Sequence, residues 1–145
     1  MKKIILATLF LAIAGITASA QSKDETSKVT HLTYKEFLSK VWDFEKSPNN
    51  FEFKGKVPAV IDFYADWCGP CRKVSPIMEK LAQEYKGRLS VYKINVDQER
   101  DLASVFNIRS IPAVLFVPLN SQPMIQVGAM SEADYKKVIE ERLLK

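Results

Sequence analysis

The stretch that decides the fold is PAVIDFYADWCGPCRK, residues 58–73. Its first half is rich in Val, Ile and aromatic residues, which is typical of a buried β-strand. The only two cysteines of the chain, Cys68 and Cys71, follow that strand with Gly69 and Pro70 between them. Apolar residues at helical spacing continue after the second cysteine. The pattern therefore predicts a strand, a tight connection and a helix, with both cysteines where the helix begins.

Two cysteines separated by two residues allow a redox pair, half of a metal site or a structural disulfide. A disulfide between them closes a very small loop and removes little entropy from the unfolded chain, so a purely stabilising role is a weak explanation. A zinc site needs a second pair of ligands, and the only histidine, His31, lies far from the motif along the chain. We therefore favour a redox pair, and we predict no metal site and no cofactor beyond the disulfide itself.

The start of a helix gives Cys68 its predicted chemistry. Unpaired backbone N–H groups and the positive end of the helix dipole favour the thiolate, so the pKa of the Cys68 thiol should fall. Cys71 lies one turn later on the same helix face and deeper. We predict that Cys68 attacks a substrate disulfide and that Cys71 resolves the mixed disulfide. Trp67 offers a flat apolar contact surface, Gly69 lets a partner backbone come close, and Pro70 suits an early helical position.

The first twenty residues, MKKIILATLFLAIAGITASA, have the pattern of a secretory signal peptide. A basic start precedes an apolar run, and an A-x-A sequence at 18–20 predicts cleavage after Ala20. An uncleaved anchor is the alternative, but the run is shorter than the about 20 residues that a spanning helix needs. Residues 21–28 are polar and predict a flexible leader. We expect one domain over 29–145, no membrane insertion after cleavage, and an oxidising compartment outside the cytoplasm.

The net charge and the length of the chain limit which classes of protein it can belong to. The formal net charge of +4 falls to +2 once Lys2 and Lys3 are removed with the signal peptide. A nearly neutral chain gives no electrostatic reason to expect a nucleic-acid partner. The remaining 125 residues suffice for one hydrophobic core.

The rest of the chain predicts the element order β-α-β-α-β-α-β-β-α. This alternation favours a partly parallel α/β sheet, and the close spacing of the last two strands favours an antiparallel hairpin at one edge. The first helix is predicted within 33–45, with Thr33 and Glu36 forming a capping box. The predicted inner faces of the four helices are formed by Phe37, Leu38, Val41 and Trp42; by Val74, Ile77, Met78 and Leu81; by Leu102, Val105 and Phe106; and by Tyr135, Val138, Ile139 and Leu143.

Several of these motifs together match a known family. WCGPC after VIDFYAD, a following helix that contains a proline, and the later stretch IRSIPAVLF closely resemble thioredoxin over about residues 29–145. The resemblance implies the thioredoxin fold, an α/β fold with a central five-stranded mixed β-sheet flanked by four α-helices. It also implies thiol–disulfide oxidoreductase activity.

The resemblance extends to individual site residues. Asp62 matches a buried aspartate that could accept the proton of the Cys71 thiol, and a buried Asp satisfied by local hydrogen bonds is the alternative. Lys93 matches a lysine near that aspartate and could tune it. Pro112 matches the cis-proline of the family, which would place the Ile111 backbone beside the sulfurs. The implied substrate-facing set is Trp67, Gly69, Pro70, Ile111, Pro112, Val127, Gly128 and Ala129, although each apolar member could instead be a packing residue.

The chain departs from the family pattern in three places. Tyr64 stands where thioredoxins commonly have a tryptophan, the hairpin over 117–124 lacks a glycine, and the segment 44–56 is longer than typical. These departures affect packing, turn geometry and choice of partner more than the cysteine chemistry.

The Gly-Pro pair between the cysteines is the thioredoxin spacer, and it implies a protein-disulfide reductase. In the expected location, the periplasm of a bacterium, such a reductant needs electrons, which the family implies come from a membrane thiol reductase. The expected substrates are disulfide-containing proteins, and the family implies a monomer. The alternatives are a disulfide oxidase or isomerase, a non-catalytic binding protein, and a dedicated electron carrier to one partner such as a cytochrome c maturation protein or a peroxiredoxin.

Overall fold

The computed structural model describes residues 28–145. The predicted signal peptide and nearly all of the predicted leader therefore lie outside the described residues. Within 28–145, no helix is both long enough and apolar enough to cross a membrane. The described elements follow the predicted order: β1 (Thr30–His31), α1 (Tyr34–Lys40), β2 (Ala59–Tyr64), α2 (Cys71–Glu84), β3 (Ser90–Asn95), α3 (Arg100–Val105), β4 (Ala113–Val117), β5 (Met124–Val127) and α4 (Glu132–Val138), which continues as a π-helical segment over Ile139–Leu143.

The five strands form one mixed sheet in the order β1-β3-β2-β4-β5. β1 and β2 pair in parallel with β3, while β4 pairs antiparallel with both β2 and β5. The partly parallel sheet and the antiparallel edge hairpin are therefore confirmed. β2 is the central strand of the sheet. The cysteine motif follows its carboxyl end and therefore lies near the middle of the end of the sheet at which β2 stops.

The two faces of the sheet have separate cores, because side chains of a strand alternate between faces. Ile61 and Phe63 of β2 pack with residues of α1 and α3, whereas Val60 packs with residues of α2 and α4. Asp62 and Tyr64 share the face of Val60 by the same alternation. Both polar residues of β2 are thus directed toward the layer that contains α2 and its first residue, Cys71.

The capping box of α1 is confirmed. Thr33 Oγ1 accepts the Glu36 backbone N–H, and Glu36 Oε2 accepts the Thr33 backbone N–H. The helix ends at Lys40, earlier than the predicted span, because the loop that follows returns to its last turn. Lys54 donates its ammonium to the Leu38 carbonyl and its backbone N–H to the Val41 carbonyl.

The predicted inner faces are confirmed in most positions, but Val105 is wrong. Its side chain is 41% exposed, whereas Leu102 is fully buried. Val105 is the last residue of α3, and Leu102 is the one fully buried residue of this six-residue helix. Ser131 caps α4 by accepting the Asp134 backbone N–H, and its own hydroxyl donates to the Asp134 carboxylate.

The Thr33→Ala variant is expected to lower the free energy of unfolding by about 1 kcal/mol, because it removes the side-chain acceptor at the start of α1. Urea unfolding at neutral pH measures the change. The matched control is Lys35→Ala, which changes an exposed residue of the same helix and should leave the stability nearly unchanged. Equal losses in both variants would contradict a capping role.

Candidate active site at the end of the central strand

The two cysteines form a disulfide at the start of α2. Six residues separate the end of β2 from Cys71, and the Cys68 backbone N–H bonds to the Ala65 carbonyl within this connection. Both cysteines are almost fully buried. The Cys71 backbone N–H donates to Cys68 Sγ over 3.2 Å. When the disulfide is reduced, the same N–H favours negative charge on the Cys68 sulfur rather than on the Cys71 sulfur.

Trp67 forms the exposed side of the site. Its side chain is 69% exposed, although tryptophan usually buries much of its surface. The indole N–H donates to Asp97 Oδ2 over 2.8 Å, and the Asp97 backbone N–H in turn donates to the Asn95 side chain. The hydrogen bonds hold the indole beside Cys68 as a fixed apolar surface. Neither Asn95, the last residue of β3, nor Asp97, two residues later, was predicted as a site residue, and β3 is the parallel neighbour of β2.

The Ile111–Pro112 segment packs against the cysteines through Ile111. Its peptide bond is cis, as the resemblance implies, and the Ile111 side chain packs in the apolar cluster of the two cysteines. The Gly128 backbone N–H donates to the Pro112 carbonyl over 2.8 Å, with Gly128 at a φ of +91° that favours glycine. The two predicted substrate-facing loops are therefore joined to each other.

The predicted substrate-facing residues do not all contact the sulfurs. Val127 is 54% exposed and Ala129 is also exposed, and both lie outside the buried cluster around the cysteines. Gly69 has open space on its side-chain face, where the nearest atom to an added Cβ is the Arg72 guanidinium at 3.9 Å. A partner backbone can therefore come close to the disulfide at this point.

Asp62 is fully buried in the middle of β2. Neither of its carboxylate oxygens has a hydrogen-bond partner within residues 28–145, so the alternative of local hydrogen bonding does not apply there. Burial raises the pKa of Asp62 to about 6, with the Lys93 ammonium acting in the opposite direction. A carboxylate with a pKa near neutrality can both take up and release a proton at physiological pH.

Lys93 is the residue of β3 that pairs with Asp62. Its ammonium lies 4.3 Å from the centre of the Tyr64 ring and 3.4 Å from Ser75 Oγ. The predicted neighbourhood of Lys93 and Asp62 is present in the strand register, but the lysine makes no hydrogen bond to the carboxylate. Its electrostatic influence on Asp62 is therefore weaker than that of a direct ion pair.

An open cavity of about 380 Å³ lies beside Cys71. The Tyr64 hydroxyl is 3.3 Å from His31 Nδ1 at its wall. His31 could not be placed here from its position in the sequence, because only the pairing of β1 with β3 brings it to the site. A larger groove of about 630 Å³ between β5 and α4 contains none of the predicted site residues. The cavity beside Cys71 is lined by His31, Tyr64, Ala65, Asp66, Cys71, Arg72, Ser75 and Lys93.

Within the described part of the chain, no group of three His, Cys, Asp or Glu side chains is arranged to hold a metal ion. The two cysteine sulfurs are bonded to each other. A disulfide that closes so short a loop adds little stability, whereas its position at a helix start, after the strand that carries the buried Asp62, suits sulfur exchange. The fold and this site define the class of the protein as a thiol–disulfide oxidoreductase.

Comparison with known proteins supplies the family. Residues 28–141 match the thioredoxin family model, and the chain belongs to the thioredoxin family. It is 40% identical over 110 residues to a thioredoxin of Borreliella burgdorferi, covering 76% of this chain and 93% of the relative. It is 38% identical over 135 residues to an M-type chloroplastic thioredoxin of Spinacia oleracea, covering 92% of this chain and 75% of the relative. The solved structure of the N21Q mutant thioredoxin from Halobacterium salinarum superposes with a TM-score of 0.63 at 30% identity. The match covers 81% of this chain and 92% of that structure's chain.

Proposed function

We propose that the protein reduces disulfide bonds of other proteins, with Cys68 as the attacking cysteine and Cys71 as the resolving cysteine. The observation that carries this assignment is the hydrogen bond from the Cys71 backbone N–H to Cys68 Sγ. It makes the two sulfurs unequal, because it favours the thiolate on Cys68. The exposed Trp67 beside Cys68 supplies a surface on which a substrate can bind.

The reaction begins with the reduced chain. The Cys68 thiolate attacks one sulfur of the substrate disulfide, the substrate S–S bond breaks, and the leaving sulfur takes up a proton. The Cys71 thiol then gives its proton to the Asp62 carboxylate, and its sulfur attacks Cys68 Sγ. The bond between Cys68 and the substrate breaks, so the substrate gains two electrons in total. The chain is left with the Cys68–Cys71 disulfide that the structure contains.

The direction of electron flow rests on the Gly69-Pro70 spacer and on the relatives, which are named thioredoxins. We further propose that the protein acts in a bacterial periplasm, with the signal-peptide pattern of residues 1–20 as support. We also propose a monomer, as the resemblance to thioredoxin implies. Periplasmic reduction needs a source of electrons, for which a membrane thiol reductase is proposed. The substrates are disulfide-containing proteins, and neither nucleic acid nor a membrane is proposed as a partner.

The test is the equilibrium reduction potential of the Cys68–Cys71 pair in defined thiol buffers, followed by Trp67 fluorescence. We expect a value near about −270 mV, the thioredoxin figure, whereas a value near about −120 mV would reverse the direction and favour a disulfide oxidase. The control is the variant with both Cys68→Ser and Cys71→Ser, whose fluorescence should not respond to the buffers.

A further inference from the structure

The strand register places three polar residues side by side on the sheet face that α2 covers. His31 of β1 pairs with Lys93 of β3, and Lys93 pairs with Asp62 of β2. Neighbouring strands lie about 4.8 Å apart, so the Lys93 side chain is long enough to reach the Asp62 carboxylate. From the register alone, an ion pair between lysine and aspartate is the expected arrangement.

The structure has a different arrangement. The Lys93 ammonium lies 4.3 Å from the centre of the Tyr64 ring, within the range of a cation–π contact, and 3.4 Å from Ser75 Oγ. Asp62 is fully buried and has no hydrogen-bond partner within residues 28–145. The Lys93 ammonium thus contacts the Tyr64 ring. It does so although its register partner on β2, Asp62, has a carboxylate with no hydrogen-bond partner within residues 28–145.

The ring that holds the lysine is itself fixed. Tyr64 is only 9% exposed and packs in the apolar cluster of the two cysteines. Its hydroxyl is 3.3 Å from His31 Nδ1, and the His31 ring contacts the Tyr64 ring edge-on with the ring centres 6.0 Å apart. Because its position is constrained at both ends, Tyr64 can determine where the lysine ammonium rests.

We propose that Tyr64 is a positioning residue that holds the Lys93 ammonium against its ring and away from the Asp62 carboxylate, so that Asp62 remains a proton acceptor for Cys71. This role deepens the proposed function and rests on its use of Asp62. A cation within about 4–6 Å typically lowers the pKa of a carboxyl by one to three units. A direct ion pair with Lys93 would therefore make Asp62 a poorer proton acceptor at neutral pH.

Other ionisable groups face the same region, and a test must separate them from Lys93. Tyr64 and Tyr135 both interact electrostatically with Asp62. The groups on the elements around Asp62 are His31 on β1, Lys93 on β3, Tyr64 at the end of β2, Asp66 in the loop after it, Arg72 on α2, and Tyr135 on α4.

The test is a double-mutant cycle read on the Asp62 carboxyl carbon by NMR titration of the oxidised protein. Tyr64→Leu removes the ring, and we expect the pKa of Asp62 to fall by about one unit, a tenfold rise in its dissociation constant. In the Lys93→Met background the same substitution should leave the pKa of Asp62 unchanged, because no ammonium remains to be released. Tyr64→Phe is the matched control, because it keeps the ring and should shift the pKa much less.

No shift in Tyr64→Leu, or an equal shift with and without Lys93, would overturn the proposal. A second measurement uses the unsubstituted protein, so the proposal can be tested even if a variant does not fold. The ε-methylene protons of Lys93 should be shifted upfield by the Tyr64 ring, and unshifted protons would also overturn the proposal. The titration needs no catalytic turnover, so its result is independent of whether Cys68 proves to be the attacking cysteine.

Discussion

The Cys68→Ser variant is expected to lose disulfide reduction by a factor on the order of 10³ or more, because a serine hydroxyl cannot replace the thiolate that attacks the substrate. Reduction of insulin disulfides with a chemical electron donor measures the loss. The fold should be retained, because the disulfide joins cysteines only three positions apart in the sequence and therefore adds little stability.

The matched control is Cys71→Ser, which removes the other sulfur of the pair and keeps that of Cys68. It should also fail to turn over, but it should accumulate a mixed disulfide between Cys68 and the substrate, visible by non-reducing electrophoresis. Trapping by Cys68→Ser instead would exchange the two roles. A biological effect that survives Cys68→Ser would favour the non-catalytic binding protein.

The trapped complexes also separate a general reductant from a dedicated carrier. Identification of the proteins bound to Cys71→Ser should yield several disulfide-containing partners. Capture of a single partner would contradict a general reductant and favour an electron carrier for one pathway.

The Asp62→Asn variant is expected to be more stable than the parent protein by up to about 3 kcal/mol at pH 8, with the difference lost below about pH 4. The pKa of Asp62 is raised from 3.8 to about 6 by burial in the folded chain. Between these two values the folded state binds more protons than the unfolded state, so the free energy of unfolding falls as pH rises. Above about pH 6 the full cost of the buried charge is present, and asparagine carries no charge.

Urea unfolding of the oxidised protein at pH 4, 6 and 8 measures this dependence. Glu79→Gln is the control, because it neutralises an exposed acid on α2 and should give no gain that grows with pH. A gain for Asp62→Asn that is equal at all three pH values would contradict a buried carboxylate that ionises near pH 6.

The same substitution should slow the resolution of the mixed disulfide, because the Cys71 thiol loses its proton acceptor. A stabilising substitution that impairs exchange would mean that Asp62 is kept for chemistry at a cost in stability. Lys93 and Tyr64 then control how large that cost is, since they set the distance between the ammonium and the carboxylate.

Much of the fold was predictable from local patterns. The run of Val, Ile and aromatic residues before Cys68, the helical spacing after Cys71 and the capping box at Thr33 each depend on residues only a few positions apart. The close spacing of the last two strands likewise determined the edge hairpin. Such features are encoded locally, because periodicity and capping involve neighbours along the chain.

The partners within the site could not be predicted in this way. The identity and burial of Asp62 are visible in the strand pattern, but its lack of a hydrogen-bond partner within residues 28–145 depends on which atoms of other elements surround it. The hydrogen bond between Trp67 and Asp97 joins residues 30 positions apart, and the contact between Tyr64 and His31 joins residues 33 positions apart.

The sequence by itself therefore determined where the two cysteines lie, at the start of a helix that follows a buried strand, and it predicts that Cys68 is the attacking cysteine. The strand, the helix start and the spacing of the pair depend on one short stretch of chain. Only the tertiary structure decided that the Lys93 ammonium rests on the Tyr64 ring and that Asp62 has no ion pair within residues 28–145. A lysine ammonium has several competing partners within its reach, and their relative positions are set by the packing of β1, β2, β3 and α2 together.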